Sequence, residues 1–253
     1  MSTELSINNV DFTALSPDSR QMAIIEANLD GEPMQETDLI RVKMPLGGGT
    51  NWSIDRDGNE ETTDELVGVL CGVGKRGVLW PEEDPSESKP VLVSTDLLVG
   101  YRVSDDLGSI DPEVLEKYRI GDRKYDWQAL SNGPDFGYGS SRSGGKRVKE
   151  SRVLAILRDG ETWPMLVSVG AGSLRNIIPF LKRLPCFQYE AVLGLKLQKA
   201  KGKGGQPYSQ ISPRLVGQLS EEQGEVCRRT YSDPIKKMFD TPPASGASAT
   251  EEE

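Results

Sequence analysis

The chain has 253 residues, of which 36% are hydrophobic and 27% are charged, and its formal net charge is −9. This length permits one large domain or two small ones, and the mean hydropathy of −0.46 predicts a soluble protein. Histidine is absent, which excludes Ser-His and Cys-His nucleophilic sites and His-ligated zinc. A magnesium site built only from carboxylates stays possible.

The sequence carries no export or anchoring signal that we recognise. The N-terminus lacks a basic start followed by an apolar stretch, and no apolar run reaches membrane-spanning length. The three cysteines, Cys71, Cys186 and Cys227, are odd in number and widely spaced, which favours a reducing compartment over a disulfide framework. We therefore predict a cytoplasmic protein that does not associate with membranes.

Charge is distributed unevenly along the chain. Residues 1–140 carry a net charge of −15, residues 141–218 a net charge of +10, and residues 219–253 a net charge of −4. Because salt limits the reach of each charge to about 8 Å under physiological conditions, the middle segment is expected to present a positive surface to polyanions. The alternative is that this segment packs beside the acidic N-terminal half.

The first third of the chain is predicted to begin with a polar extension, residues 1–37, with one weak helical pattern over Ser19–Leu29. DLIRVKMPLGGGTNWSI then predicts a short strand, a glycine turn at Gly47–Gly49 and a strand that begins near Trp52. ELVGVLCGV and GVLW are apolar runs separated by GKRG, which predicts a hairpin with Lys75 and Arg76 at its tip. KPVLVSTDLLVGYRV adds one or two strands.

The middle of the chain begins with residues 105–145, which lose periodicity and predict a long irregular insertion. SRVLAILRDGETWPMLVSVG then predicts a hairpin with an Asp-Gly turn at residues 159–160. In SLRNIIPFLKRL the apolar residues fall on one face of a helix, with Ser173 as its cap and Pro179 favouring a kink or an early end.

The last part of the chain contains a longer hairpin, GLKLQKAKGKGGQPYSQIS. After it, residues 219–239 predict a C-terminal helix broken near Pro234, and residues 240–253 predict a disordered acidic tail. Many short strands with one or two helices predict a mainly β fold, specifically an oligonucleotide/oligosaccharide-binding (OB)-like barrel over residues 38–218 that carries the insertion.

Two phosphate-binding motifs are excluded. GVGKRG, residues 72–77, fits the G-x-G-x-x-G pattern, but no helix pattern follows it, so a dinucleotide site is not predicted. Lys75 and Lys146 are each followed by Arg and lack the upstream glycine spacing, so neither belongs to a P-loop.

The best candidate binding element is the loop with Lys199, Lys201 and Lys203, preceded by Lys196. Glycines at 202, 204 and 205 give the loop freedom to adapt its ammonium groups to a phosphate chain. Its alternative interpretation is a solubilising hairpin tip. A second basic cluster leads into a strand and consists of Arg142, Lys146, Arg147, Lys149 and Arg152. A barrel could place this cluster and the lysine loop on opposite sides of one groove.

Aromatic residues beside the predicted strands could stack on bases, which contributes about 1–3 kcal/mol per base in single-strand binders. The candidates are Trp52, Trp80, Trp163 and Tyr208, of which we expect at least two to be buried for structural reasons.

Three glutamates close the predicted acidic tail: Glu251, Glu252 and Glu253. An anionic tip of this kind could compete with nucleic acid for a basic groove or dock on basic partner proteins. We therefore predict these three residues as a partner-binding segment.

The order of these blocks resembles a family of tailed-bacteriophage early proteins associated with single-stranded DNA binding. The similarity spans most of residues 38–212, and its more specific pieces are the glycine-Thr-x-Trp and Lys-Gly-Gly-x-Pro-Tyr-Ser segments. The resemblance implies an OB-like core, a role in replication or recombination in the host cytoplasm, and a tail that contacts partner proteins. Relatives carry cysteines suggestive of a zinc site, whereas this chain has none from residue 72 to 185, so no metal or cofactor is expected.

We therefore predict a non-enzymatic protein that binds single-stranded DNA without sequence preference and that could self-associate. The predicted contacts are Lys75, Arg76, Trp80, Arg147, Lys149, Arg152, Trp163, Lys196, Lys199, Lys201, Lys203 and Tyr208. Two alternatives stay open. One is a virion or assembly protein whose basic segment meets an acidic protein, and the other is a metal-dependent nuclease that uses Asp55, Asp57, Glu60 and Glu61.

Overall fold

A computed structural model of the chain describes residues 10, 12, 15, 24, 27, 28, 30, 32–56, 58–82, 89–142, 144–202 and 204–242. Within these residues the fold is mainly β, as predicted. None of the helices in the described part of the chain is both long and apolar enough to span a membrane.

Several predictions fall wholly or largely on residues outside this set. They are the helix over Ser19–Leu29, the site residues Asp57 and Lys203, and the partner-binding tail residues Glu251, Glu252 and Glu253. The partner-binding role of the tail is therefore not tested by the structure and stays a prediction.

Twelve strands and five α-helices with defined bounds lie in the described residues. The strands are β1 (Arg41–Lys43), β2 (Trp52–Arg56), β3 (Asn59–Thr63), β4 (Glu65–Leu79), β5 (Leu92–Ser94), β6 (Val99–Arg102), β7 (Arg119–Gly121), β8 (Lys124–Asp126), β9 (Lys149–Leu157), β10 (Met165–Val169), β11 (Ala191–Lys201) and β12 (Pro207–Gln218). The helices are α1 (Pro112–Glu116), α2 (Trp127–Asn132), α3 (Ala171–Leu181), α4 (Glu221–Cys227) and α5 (Asp233–Asp240).

The chain divides into two compact units. The first comprises Met1–Val73 and Arg152–Met238, and the second comprises Gly74–Ser151 and Phe239–Glu253. In the first unit the strands follow the order β3-β2-β1-β10-β9-β4-β11-β12, with β1 parallel to β10. Strands β3 and β12 lie at the two edges and do not pair with each other in the described residues. The sheet is therefore not closed in the described residues, and the OB-like barrel that the sequence predicted is not confirmed.

The strands of the first unit carry apolar residues because these side chains form the core of that unit. Trp52 is fully buried at the start of β2, where its indole Nε1 donates a hydrogen bond to the Leu195 carbonyl at 2.8 Å. This bond satisfies the one polar atom of the side chain, as a buried tryptophan requires. Two of the free thiols, Cys71 and Cys227, are also buried here, with their sulfur atoms 3.8 Å apart.

The second unit has its own antiparallel strands and its own core. Strand β5 pairs with β4 and β6, and β8 pairs with β6 and β7. The core includes Trp127, Tyr125 and Leu130. Residues 105–145, predicted to be irregular, contain two short helices and two short strands in their described part. These elements are three to six residues long, too short to produce a readable periodicity.

The predicted hairpin with Lys75 and Arg76 at its tip is wrong, because β4 runs unbroken through GKRG. The glycines serve close packing instead of a turn. A Cβ on Gly74 would lie 2.7 Å from Phe239 Cγ, and one on Gly77 would lie 2.3 Å from Trp127 Cζ2. Real Cβ atoms do not approach that closely, so both positions need glycine.

Two helix predictions also need correction. Helix α3 begins after Gly170 instead of Ser173, and it continues past Pro179 to Leu181. Near Pro234 the chain does not simply break: a π-helical segment, Arg228–Ser232, precedes α5, which contains the proline in its first turn.

Candidate nucleic-acid interface

The β11–β12 hairpin is longer than the sheet that supports it. Strand β4 pairs with β11 from Val192 to Lys196, and beyond that point β11 pairs only with β12, over Leu197–Lys201 and Pro207–Ile211. The predicted long hairpin is thereby confirmed. We call this two-stranded extension the arm.

The arm separates the predicted lysines by face. Side chains alternate along a strand, so Lys199 and Lys201 share one face and Lys196 lies on the other. Both Lys199 and Lys201 are exposed, and neither forms an ion pair with any residue that the structure describes. In contrast, Lys196 Nζ lies 3.7 Å from Glu65 Oε2, and Arg214 holds the other oxygen of that carboxylate at 2.6 Å. Lys199 and Lys201 therefore have the stronger claim to bind an anion.

A glycine-rich loop, Pro45–Gly49, packs on the arm. The hydroxyl of Ser209 lies 2.8 Å from both the Pro45 and the Gly49 carbonyl oxygens, and its single proton serves one of them at a time. Gly48 lies against the stem of Lys199, with φ at 82°. Leu46 at the tip of the loop is 89% exposed. The loop thus fixes the stem of Lys199 and presents an apolar side chain to solvent.

Helix α3 covers the outer edge of β12. Ser173 Oγ accepts a hydrogen bond from the Ile211 N–H, and Asn176 Nδ2 donates one to the Ile211 carbonyl, both at 2.9 Å. Gln210 Nε2 adds a hydrogen bond to the Gly172 carbonyl at 2.7 Å. Ser173 therefore docks the helix on the strand and does not cap it, which is the physical reason that the predicted cap was wrong.

Tyr208 lies where α3 and the arm meet. A Cβ on Gly172 would lie 2.6 Å from Tyr208 Cε2, so the half-buried ring rests directly on the helix backbone. Its hydroxyl accepts a hydrogen bond from Arg175 Nη2 at 3.1 Å. Nothing in the local sequence pattern links Arg175 to Tyr208, which is 33 residues away.

An open cavity of about 320 Å³ lies between these three segments. Its walls are Met44–Gly47, Gly170–Ser173 and Pro207–Ser209. The cavity is largely apolar, while the N-terminus of α3, which has no side-chain cap, adds a partial positive charge. We call the cavity together with Lys199, Lys201 and Arg175 the hairpin site. Lys199 and Lys201 lie on one face of the arm, while Tyr208 with its bond to Arg175 lies on the other face, beside the apolar cavity.

The second basic cluster is used mainly for structure. Arg147 Nη2 donates hydrogen bonds to the Pro81 carbonyl at 2.7 Å and to Ser109 Oγ at 2.8 Å. Lys146 Nζ lies 3.4 Å from Glu150 and 5.1 Å from the centroid of the Tyr138 ring. The backbone of the unit thereby occupies much of the hydrogen-bonding capacity of the cluster.

The other predicted contacts are distributed over both units. Lys149 is exposed on β9, with Nζ 3.5 Å from the Lys146 carbonyl, and Lys75 is exposed on β4. Four are half-buried: Arg76, Trp80, Arg152 and Trp163. Arg152 and Trp163 belong to the first unit, whereas Lys75, Arg76, Trp80, Arg147 and Lys149 belong to the second. That the two basic clusters face one groove stays a prediction. Of the four candidate rings, Trp52 is fully buried and the other three are half-buried, whereas we expected at least two to be buried.

The carboxylates of the alternative nuclease site have other partners. Glu61 binds Arg158 at 2.9 Å and lies 3.5 Å from Arg56. The hydrogen bond from Arg158 is the main reason that the pKa of Glu61 is lowered. Asp55 accepts a hydrogen bond from the Gly58 N–H in the turn. In the described part of the chain, no cluster of three acidic or cysteine side chains could hold a metal ion.

Comparison with known proteins returns no relative: no protein-family profile matches the chain, and neither a curated protein nor a solved structure shows significant similarity to it.

Proposed function

We propose that the protein binds single-stranded DNA without sequence preference and that the hairpin site is its main contact. The observation that carries this proposal is the arm itself, which presents the exposed Lys199 and Lys201 on one face and the Tyr208 ring, bonded to Arg175 beside an apolar cavity, on the other. Single-strand binders combine a cationic surface for phosphates with aromatic rings for bases. The hairpin site offers both within one unit.

The apolar walls favour an unpaired strand over a duplex. Met44, Leu46 and Pro207 line the cavity beside Tyr208, and these side chains match the faces of a base that is not stacked on its neighbours. In a duplex the base faces are occupied, and a protein of this kind would meet only phosphates and groove edges. Lysine ammonium groups act on phosphates as point charges and do not by themselves read base edges, which fits binding without sequence preference.

The OB-like fold and the relation to phage single-strand binders belong to the same proposal. They are supported by the mainly β architecture and by the long hairpin with its adjoining glycine-rich loop. In that context the protein would act in phage DNA replication or recombination, and its acidic C-terminal residues would contact partner proteins.

The direct experiment is a fluorescence titration with oligo-dT at two salt concentrations. We expect the wild-type protein to bind and to lose affinity as salt rises, because bound phosphates release counterions. Replacing Lys199 and Lys201 by alanine is expected to weaken binding and to reduce the slope of log K against log salt by about 1 to 2. Lys196→Ala, which removes a lysine already paired with Glu65, is the matched control and is expected to have a smaller effect.

Two outcomes would overturn the proposal. If the wild-type protein does not bind oligo-dT at low salt, it is not a single-strand binder. Polyglutamate could displace bound oligo-dT as effectively as a competing oligonucleotide of equal charge. In that case the site recognises negative charge alone, and an acidic protein becomes the better candidate for the partner.

A further inference from the structure

Two aromatic rings are stacked on the surface beyond the C-terminal end of α3. The rings of Phe187 and Tyr189 lie 5.2 Å apart between centroids, with their planes inclined by only 8°. Phe187 is 64% exposed, although it is a large apolar side chain. The pair therefore presents a flat aromatic surface to solvent, held in place by the contact between its two members.

Exposed cations follow the outside of α3, whose first residues border the hairpin site and whose end precedes the aromatic pair in the chain. Arg175 and Lys182 are seven residues apart, which corresponds to about two helical turns and places them on the same side of the helix. Lys182 keeps helical backbone angles at the C-cap position, and Arg183 follows it. All three are exposed, and none has an ion pair among the residues that the structure describes.

The carboxylates beside the aromatic pair are occupied by other groups. Glu190 accepts hydrogen bonds from the Phe187 N–H at 3.3 Å and from Gln218 Nε2 at 3.1 Å. Arg228 holds Glu225 at 2.8 Å and Asp233 at 2.6 Å. Arg228 therefore offsets part of the negative charge near Tyr189, whereas Glu190 keeps its charge because both of its hydrogen-bond donors are neutral.

Helix α3 separates the two sites along the chain and gives a scale for the path between them, with Phe187 six residues beyond Leu181. Eleven residues at about 1.5 Å each give a helix of about 16 Å. A stacked strand that advances about 3.4 Å per nucleotide covers this distance in roughly five steps. This span lies within the range of about 4 to 16 nucleotides that single-strand sites occupy.

We propose that one single strand runs along α3, from the hairpin site past Arg175 and Lys182, and that an unpaired base stacks on Phe187. This inference rests on the proposed function and adds a second stacking contact to it. An exposed aromatic pair would not by itself indicate a binding site. Here it follows α3, which carries exposed cations and whose N-terminal end borders the hairpin site, and this gives the pair its proposed role.

The test is the dependence of affinity on oligonucleotide length. Oligo-dT of about 4 nucleotides is too short to join both sites, whereas oligo-dT of about 16 nucleotides reaches both. For the wild-type protein we expect the longer strand to bind more tightly, because its second contact is intramolecular. Phe187→Ala is expected to reduce this gain by about tenfold, while binding of the short strand at the hairpin site is retained.

Two further variants separate stacking from other effects. Phe187→Tyr keeps an aromatic face and is expected to retain the gain, whereas Phe187→Leu keeps apolar bulk without the ring and is expected to lose it. Thermal unfolding of each variant checks that the exposed position does not affect folding. If the wild-type protein binds oligo-dT but Phe187→Ala shows the same gain with length, this inference is wrong and the proposed function stands. If the wild-type protein binds neither length, both are wrong.

Discussion

The stem of Lys199 crosses directly over Gly48. A Cβ on Gly48 would lie 2.9 Å from Lys199 Cγ and 3.2 Å from Pro207 Cβ, and the residue has a φ of 82°. The glycine-rich loop and the cationic arm are therefore fitted to each other at a position where only glycine is accommodated without strain.

Gly48→Ala is expected to lower the free energy of unfolding by about 1–3 kcal/mol, because it adds left-handed backbone strain to a steric clash. It should also weaken oligo-dT binding by displacing Lys199. Gly47→Ala is the matched control, since Gly47 has a φ of 67° but no atom within 4 Å of a Cβ. Urea unfolding of both variants measures the difference. Equal destabilisation would mean that the contact with Lys199 is unimportant for the fold.

Substitutions of Tyr208 are expected to distinguish its ring from its hydroxyl. Tyr208→Phe keeps the ring and loses only the hydroxyl that accepts hydrogen bonds from Arg175 and Gln210, so its affinity for oligo-dT should change little. Tyr208→Leu should lose about 1–3 kcal/mol of binding free energy because base stacking is removed. An abasic oligonucleotide provides the control: the two variants should bind it equally. A larger loss for Tyr208→Phe than for Tyr208→Leu would contradict a stacking role.

We expect the Glu65 carboxylate to make a pH-dependent contribution to the free energy of unfolding. The hydrogen bond from Arg214 is the largest cause that lowers the pKa of Glu65 below its ordinary value of 4.5, and Lys196 lowers it further. A carboxyl whose pKa is lowered by folding stabilises the protein above its ordinary pKa, and this stabilisation is lost as the pH falls through the folded pKa.

Glu65→Gln is therefore expected to lower the melting temperature at pH 7, and the difference from wild type should shrink below about pH 4. Thermal unfolding over this pH range measures it. Glu222→Gln serves as control, because Glu222 is exposed and has no ion pair within the described residues. A difference for Glu65→Gln that is constant across the whole range would show that the ionised carboxylate is not the cause.

Arg147 was predicted to contact DNA, but its hydrogen bonds favour a structural role. Arg147→Ala removes the hydrogen bonds to the Pro81 carbonyl and to Ser109 Oγ, while Ser109 still donates to that carbonyl, and we expect the free energy of unfolding to fall by about 1 kcal/mol. Lys149→Ala, which removes an exposed side chain, should be nearly neutral for stability. Chemical denaturation compares the two. An Arg147→Ala variant with wild-type stability and a reduced salt slope would restore the original prediction.

Turn residues and apolar patterns correctly predicted the hairpins β9–β10 and β11–β12. The Asp-Gly turn between β9 and β10, the glycine-containing connection between β11 and β12, and the strand beginning at Trp52 are all confirmed. Each depends on turn residues and apolar patterns that lie within about twenty residues of one another.

The failures come from contacts between residues distant in sequence. GKRG has the composition of a turn, but its glycines are explained by Phe239 and Trp127, which pack on β4 from other parts of the chain. The hairpin site unites three segments from the first, third and last parts of the sequence, and no local pattern reveals that they meet. The Phe187–Tyr189 pair was missed because two aromatics at alternate positions also occur in ordinary strands.

The edges of the open sheet carry a further consequence for behaviour at high concentration. An uncovered edge strand offers its backbone to a second molecule and promotes aggregation. At Ile211 both backbone groups of β12 are already bound by Ser173 and Asn176, and the opposite edge strand, β3, carries Glu60 and Glu61. The side-chain hydrogen bonds at Ile211 and the glutamates of β3 both oppose the pairing of an edge strand with a second molecule. An open sheet with an exposed arm is therefore compatible with a protein that does not aggregate.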